Sequence, residues 1–274
     1  MKLRTAFLSP AAILMAITML APLAIVAIYS LLSRGAYGGV ELPWTLENFT
    51  RLWDPVYGGI FLRSLWIAAV ATGFCLVLGF PLAMFIARSR RRKELYLSLV
   101  ILPFWTSFLI RTYAWMFLLR DTGIVNASLE KLGIIAQPLP LLYNDGAVIL
   151  GLVYGFLPFM VLPLYATLER LDPSLLEAAA DLGARPWSTL LRVTLPLSAP
   201  GIRAGAILVF VPCLGTYLTS DLLGGSKTVL IGNVVQNQFT AARDWPFGAA
   251  LSLALMVAAM ALLVAARGRG EELL

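Results

Sequence analysis

Polar residues in this chain collect between six apolar stretches, at 10–32, 61–87, 95–119, 147–168, 201–223 and 246–266. A hydrocarbon core about 30 Å thick is crossed by roughly 20 consecutive apolar residues in a helix, so each stretch predicts one membrane span. The first follows MKLR, the kind of basic start that a cleaved signal also has. Pro10 to Leu32 is longer than the roughly 7–15 apolar residues of a signal, and no clear small-residue cleavage site follows, so it reads as a retained helix.

The segments between the spans predict elements of their own. Ser33 to Ile60 carries GAYGGVELPW and LWDPVYGG, whose Gly, Pro and Trp suit an ordered surface cap. The RSRRRKE stretch is a short basic anchor. Within Arg120 to Asp145, SLEKLG suits a short interfacial helix stopped at Gly133, and IGNVVQNQF in Leu223 to Trp245 suits a helix on the surface.

The segment at 172–196 is different in kind. Asp172 can cap a helix and Pro173 suits its first turn; SLLEAAADL then runs to Gly183, a stop in the left-handed conformation. Pro186 opens a second helix, WSTLLRV, which reaches Pro196 and merges into the fifth span. Spacing places Leu175, Leu176, Ala179 and Leu182 on one face and Glu177 and Asp181 on another. Ala178, Ala179 and Ala180 let a second surface come close, so the elbow reads as a docking element without catalytic groups.

Composition removes the alternative of a soluble core. Hydrophobic residues are 59% of the 274 and charged ones 13%, with a mean hydropathy of +0.83; soluble domains carry about 25% charged residues. Six spans place both termini on one side. That side holds thirteen Lys and Arg residues and the other seven, so the termini and the elbow are expected in the cytoplasm. The same asymmetry explains the net charge of +6 without a nucleic acid. There is no His, and Cys75 and Cys213 fall inside spans, so zinc and haem have no ligand sets. No Walker or dinucleotide motif occurs, and no cofactor is expected on this chain; energy must come from another chain or from a gradient.

Glu177-Ala178-Ala179, with Gly183 and then Val193-Thr194-Leu195-Pro196 at their spacing, resembles the EAA motif of permease subunits of binding-protein-dependent ABC importers. Residues 102–119, 155–184 and 221–250 are further similar to the first permease subunit of spermidine/putrescine importers. The resemblance covers roughly residues 60–265, with Val193 in place of a more usual Ile. It implies an all-α integral membrane fold of the type I importer class, with residues 1–274 as a single permease domain in a bacterial inner membrane. It also implies a second homologous permease subunit, a dimeric cytoplasmic ATPase that binds ATP and Mg, and an extracytoplasmic substrate-binding protein. Coupling to that ATPase falls on Glu177, Ala178, Ala179, Asp181, Gly183 and Ala184.

A polyamine pathway needs carboxylates and aromatic faces for ammonium groups. The candidates by depth are Trp105, Tyr113, Trp115, Asp121, Tyr154, Tyr217 and Asp221, with Asp145 as a further acid; aromatics near the interfaces are also ordinary anchors. Arg111, a charge inside span three, is expected to snorkel outward or to pair with a carboxylate. Pro158, Pro163, Gly155, Pro212 and Gly215 loosen spans four and five, for a gate or for static kinks. Related permeases carry opines, phosphonates or ferric iron, so the substrate stays open. A membrane-embedded enzyme would need clustered acid, base or nucleophile residues that are not evident, and a single-chain gradient carrier would need an internal repeat that is not found.

Overall fold

The computed structural model describes residues 2–89 and 91–271, with side chains for residue 10 and for 13–89 and 91–264. Arg90 of the basic anchor therefore lies outside the described residues, as do the side chains of Lys2, Arg4, Arg267 and Arg269. The described residues form helices and one two-stranded hairpin joined by turns and loops, and their contacts fall into two units, one of Met1–Phe61 with Ile231–Leu274 and one of Leu62–Leu230.

In the first unit, helix α1 (Lys2–Ser30) packs along α13 (Trp245–Glu271), with the Tyr29 and Trp245 rings stacked at 6.3 Å. The expected cap is present. Strands β1 (Leu32–Arg34) and β2 (Val40–Trp44) form an antiparallel hairpin followed by α2 (Glu47–Arg51). Buried Asn48 donates from Nδ2 to the Ser30 and Leu32 carbonyls, at 3.0 and 2.8 Å, and ties the cap to the end of α1. The helix expected on the surface, α12 (Ile231–Phe239), packs on α13 and is buried at Ile231 and Gly232 and half-buried elsewhere except at Asn237. Asp244, 2% exposed, caps α13 through the Phe247 N–H and meets Arg51 at 2.9 Å, while the Arg51 guanidinium lies 3.9 Å from the Phe247 ring centroid. The segment before the second span is shorter than expected, because α3 (Pro55–Arg88) begins at Pro55 and crosses from one unit into the next.

The second unit is organised around α7 (Asp145–Leu168) and α11 (Ala199–Gly215). In lipid, helices associate through close packing and small residues at the contact more than through hydrophobic burial. Gly205 shows this: a Cβ there would stand 2.7 Å from the Met160 sulfur and 3.2 Å from its carbonyl oxygen. Cys75 and Cys213 are buried here as packing residues.

Spans three and five are not the continuous helices expected. Span three is α4 (Lys93–Ile101) and a 3-10 turn (Leu102–Trp105), then a bend of 88° before α5 (Phe108–Leu119) and α6 (Ile124–Lys131). Span five pairs α11 with the helix at Pro186–Leu197 across a bend of 68°, and α11 ends at Gly215 before a π-helical turn at Ser220–Gly224. Thr106 is extended (φ −86, ψ 151), and so is Thr216 (φ −74, ψ 133), which ends each helical run in place. Four described helices are long and apolar enough to span by themselves, and up to six spans result if each bent pair counts as one.

Candidate functional site

The elbow folds as its local chemistry dictates. The Asp172 carboxylate accepts the Ser174 N–H at 2.9 Å and caps α8 (Pro173–Asp181), with Pro173 in the first turn. Hydrogen bonds from the Ser174 backbone and hydroxyl hold the Asp172 carboxyl below its ordinary range. At the other end Gly183 has φ +76, its N–H donates to the Ala180 carbonyl at 2.8 Å, and the Ala184 N–H donates to the Ala179 carbonyl at 3.0 Å. These paired bonds are a Schellman cap, which needs a residue in the left-handed region.

After the cap, α9 (Pro186–Thr189) continues through a π-helical turn (Leu190–Thr194) into α10 (Leu195–Leu197). The Leu195 N–H reaches back five residues to the Leu190 carbonyl. Pro196 has no N–H to offer and its ring crowds the Arg192 carbonyl, so a widened turn is where this helix accommodates it. Beside the elbow, Lys93 Nζ meets Glu169 Oε1 at 2.6 Å and joins the start of α4 to the end of α7. Hydrogen bonds from Lys93 and then from the Tyr165 hydroxyl hold the Glu169 carboxyl below its ordinary range.

The expected apolar face of α8 is only half packed. Ala179 is buried and Leu176 partly so, whereas Leu175 is exposed and Leu182 is 89% exposed. Trp187 on the next helix is 69% exposed. Glu177, Ala178 and Asp181 face solvent, and Ala184 is partly covered. The elbow therefore presents small, acidic and large apolar groups that no other described residue covers.

The pathway candidates separate into groups. Trp115 and Tyr154 meet edge to face at 5.5 Å across α5 and α7. Tyr217 and Asp221 are joined along one turn by the Asp221 N–H and the Tyr217 carbonyl, at 2.9 Å, with both side chains exposed. Asp121 lines a pocket of about 650 Å³ with Arg120, Tyr143 and Lys227. Trp105 is exposed on the turn before the bend and Tyr113 is exposed on α5; neither has a ring contact among the described residues. Asp145 is not a free acceptor, because Arg63 meets it at 2.6 Å and the Thr228 hydroxyl donates to it.

Arg111 departs from both expectations. Among the described residues it has no ion pair, and its Nε and Nη1 are buried without an acceptor. Its guanidinium lies 4.3 Å from the Phe104 ring centroid and 5.7 Å from that of Phe108. No local pattern aligns these phenylalanines, because Phe104 stands before the bend in span three and Phe108 after it. The only sequence signal was a lone arginine among aromatics.

Comparison with known proteins bears on the whole chain. The family described as binding-protein-dependent transport system inner membrane component matches residues 79–267. The spermidine/putrescine transport system permease protein PotB of Escherichia coli K12 is 47% identical over 246 residues, covering 89% of each chain. Its Haemophilus influenzae counterpart is 44% identical over 256 residues, covering 93% of this chain and 89% of the relative. Among solved structures, a bacterial alginate ABC transporter in complex with its alginate pentasaccharide-bound periplasmic protein matches at TM-score 0.75 and 20% identity, covering 99% of this chain and 94% of that one. The MetNI methionine ABC transporter matches at TM-score 0.56 and 19% identity, covering 80% and 96%. At those identities the two structures bear on the fold alone.

Proposed function

The chain belongs to the family of binding-protein-dependent transport system inner membrane components, and from its similarity to a spermidine/putrescine permease we infer that its cargo is spermidine or putrescine. It is an inner-membrane permease subunit of an ABC importer and not an enzyme; ATP is hydrolysed in a separate chain. The observation that carries the cargo is 47% identity along 89% of both chains to a permease named for spermidine and putrescine.

The elbow supports a coupling role. A rigid turn at Gly183, held by two backbone bonds and flanked by uncovered Leu182 and Trp187, suits seating in a cleft of a cytoplasmic ATPase dimer. Glu177, Ala178, Ala179, Asp181, Gly183 and Ala184 form that contact, and the termini lie on the same, cytoplasmic side. A second homologous permease completes the pathway, and an extracytoplasmic binding protein delivers the cargo. Residues 1–274 act as one permease domain. Closure of the ATPase cleft around the elbow switches the pair between inward and outward facing forms.

Asp221, Asp121, Tyr217, Tyr154, Trp115, Tyr113 and Trp105 supply the carboxylates and ring faces that ammonium groups need. Uptake of labelled putrescine and spermidine by cells with and without this chain tests the cargo. Loss of uptake on deletion, restored by the gene, is expected; equal uptake in both would refute the polyamine assignment.

A further inference from the structure

The ring contacts between the region of the span-three bend and α7 form a ladder. Phe104 stands edge-on to Phe159 at 5.7 Å, Phe108 is tilted against Phe156 at 6.2 Å, and Phe156 meets Phe159 at 6.1 Å. Gly155 leaves room for the Phe108 ring, since a Cβ there would stand 3.0 Å from its Cε2. Onto this cluster Arg111 lays its guanidinium, over the faces of Phe104 and Phe108.

A buried charge within an apolar span is costly unless it is paired and hydrogen-bonded. Arg111 has neither form of compensation at Nε and Nη1. Ring faces carry the negative side of the aromatic quadrupole and attract cations within about 6 Å, and clusters of such faces are recognition sites for organic ammonium ions. Arg111 is therefore a cation held by ring faces with weak additional anchorage. A competing cation would have few hydrogen bonds to break in order to displace it. Phe159 is 41% exposed, so its own chain leaves one side of the cluster uncovered.

We propose that Phe104, Phe108, Phe156 and Phe159 form a subsite for an organic ammonium ion, filled in this structure by the chain's own Arg111, which an incoming ammonium group displaces. The assignment rests on the reading that the cargo is cationic. Arg111 then acts as an internal competitor that limits how long a cargo ammonium dwells on the rings.

The test uses the assembled importer in lipid nanodiscs, with tetramethylammonium as a probe of the rings and putrescine as the cargo. Arg111→Met removes the guanidinium and its charge from the ring faces while keeping an apolar stem in the span. Tetramethylammonium should bind it roughly tenfold more tightly than the unmodified importer, about one cation–π contact converted to affinity. Adding Phe104→Leu should abolish the gain. Unchanged or weaker binding by Arg111→Met, or a gain that survives Phe104→Leu, would overturn the proposal. If Arg111→Met fails to assemble, Arg111→Lys keeps the charge with poorer stacking and should bind the probe roughly threefold more tightly; no gain there overturns it equally. If the unmodified importer ignores putrescine while the variants show these shifts, the subsite stands and polyamines are removed as the cargo.

Discussion

Replacing Gly183 by valine is the perturbation whose cost is easiest to work from the structure. A Cβ at Gly183 would meet no atom within 4 Å, so the substitution causes no collision, and the whole effect comes from φ +76. The left-handed region costs an L-residue roughly 1–2 kcal/mol, and a β-branched one sits there as an outlier. If the turn relaxes instead, it gives up the Gly183-to-Ala180 and Ala184-to-Ala179 bonds, each worth about 0.5–1.5 kcal/mol net. Either route amounts to roughly 1–3 kcal/mol, and 1.4 kcal/mol is about a tenfold shift in the fraction of elbows with native shape. Because Gly183 packs against nothing, membrane insertion and overall stability should hold. In vesicles carrying the assembled importer, Gly183→Val should cut cargo uptake about tenfold while ATP hydrolysis continues. Gly183→Asn, which tolerates the left-handed region better, should fall between the two. Wild-type uptake by a fully inserted Gly183→Val importer would refute the reasoning, because the elbow's shape would then not matter to coupling.

Gly205→Leu should drive a side chain into Met160 and separate α7 from α11; overpacking of this kind costs about 1–3 kcal/mol, to be read as a lowered unfolding temperature in detergent. Asp244→Ala removes the cap of α13 and leaves Arg51 without its partner, so thermal unfolding should show a loss of about 1–3 kcal/mol. Asp221→Asn, at an exposed carboxylate, should raise the apparent KM for polyamine roughly two- to fivefold without changing ATPase association; an unchanged KM would make Asp221 a surface charge only. Since the Asp172 and Glu169 carboxyls are held below their ordinary range, their stabilisation of the elbow is full above that range and lost as pH falls through their lowered values. Hydrogen exchange at α8 should therefore be the same from pH 8 to 5, after correction for intrinsic rates, and faster in acid.

The elbow was legible in the sequence because its determinants are local: an Asp-Pro start, a Gly stop and a proline that reopens the helix act within a few residues of chain. The break in span three was not, because extended Thr106 sits inside an apolar run and hardly changes the hydropathy, whereas span five carried a signal in Pro212 and Gly215 and its helix ends at Gly215. Periodicity grouped Leu175, Leu176, Ala179 and Leu182 correctly on one face, yet it cannot say which part of a face its own chain covers. Leu182 is left outside because α8 packs mainly through Ala179 and Leu176. The placement of Arg111 over Phe104 depends on a sharp bend followed by a helix contact far along the chain, and no local pattern encodes that. Asp145 looked available for the same reason, since its partner Arg63 stands on a different helix.

The central claim is that this chain forms part of a cation pathway driven by a separate ATPase through the elbow. The most direct measurement is accumulation of labelled putrescine in proteoliposomes that hold this chain with its second permease and ATPase, with binding protein outside and ATP inside. The account predicts accumulation above the outside concentration that requires ATP and is cut about tenfold by Gly183→Val. Equilibration without accumulation, or accumulation that persists without ATP, would contradict it.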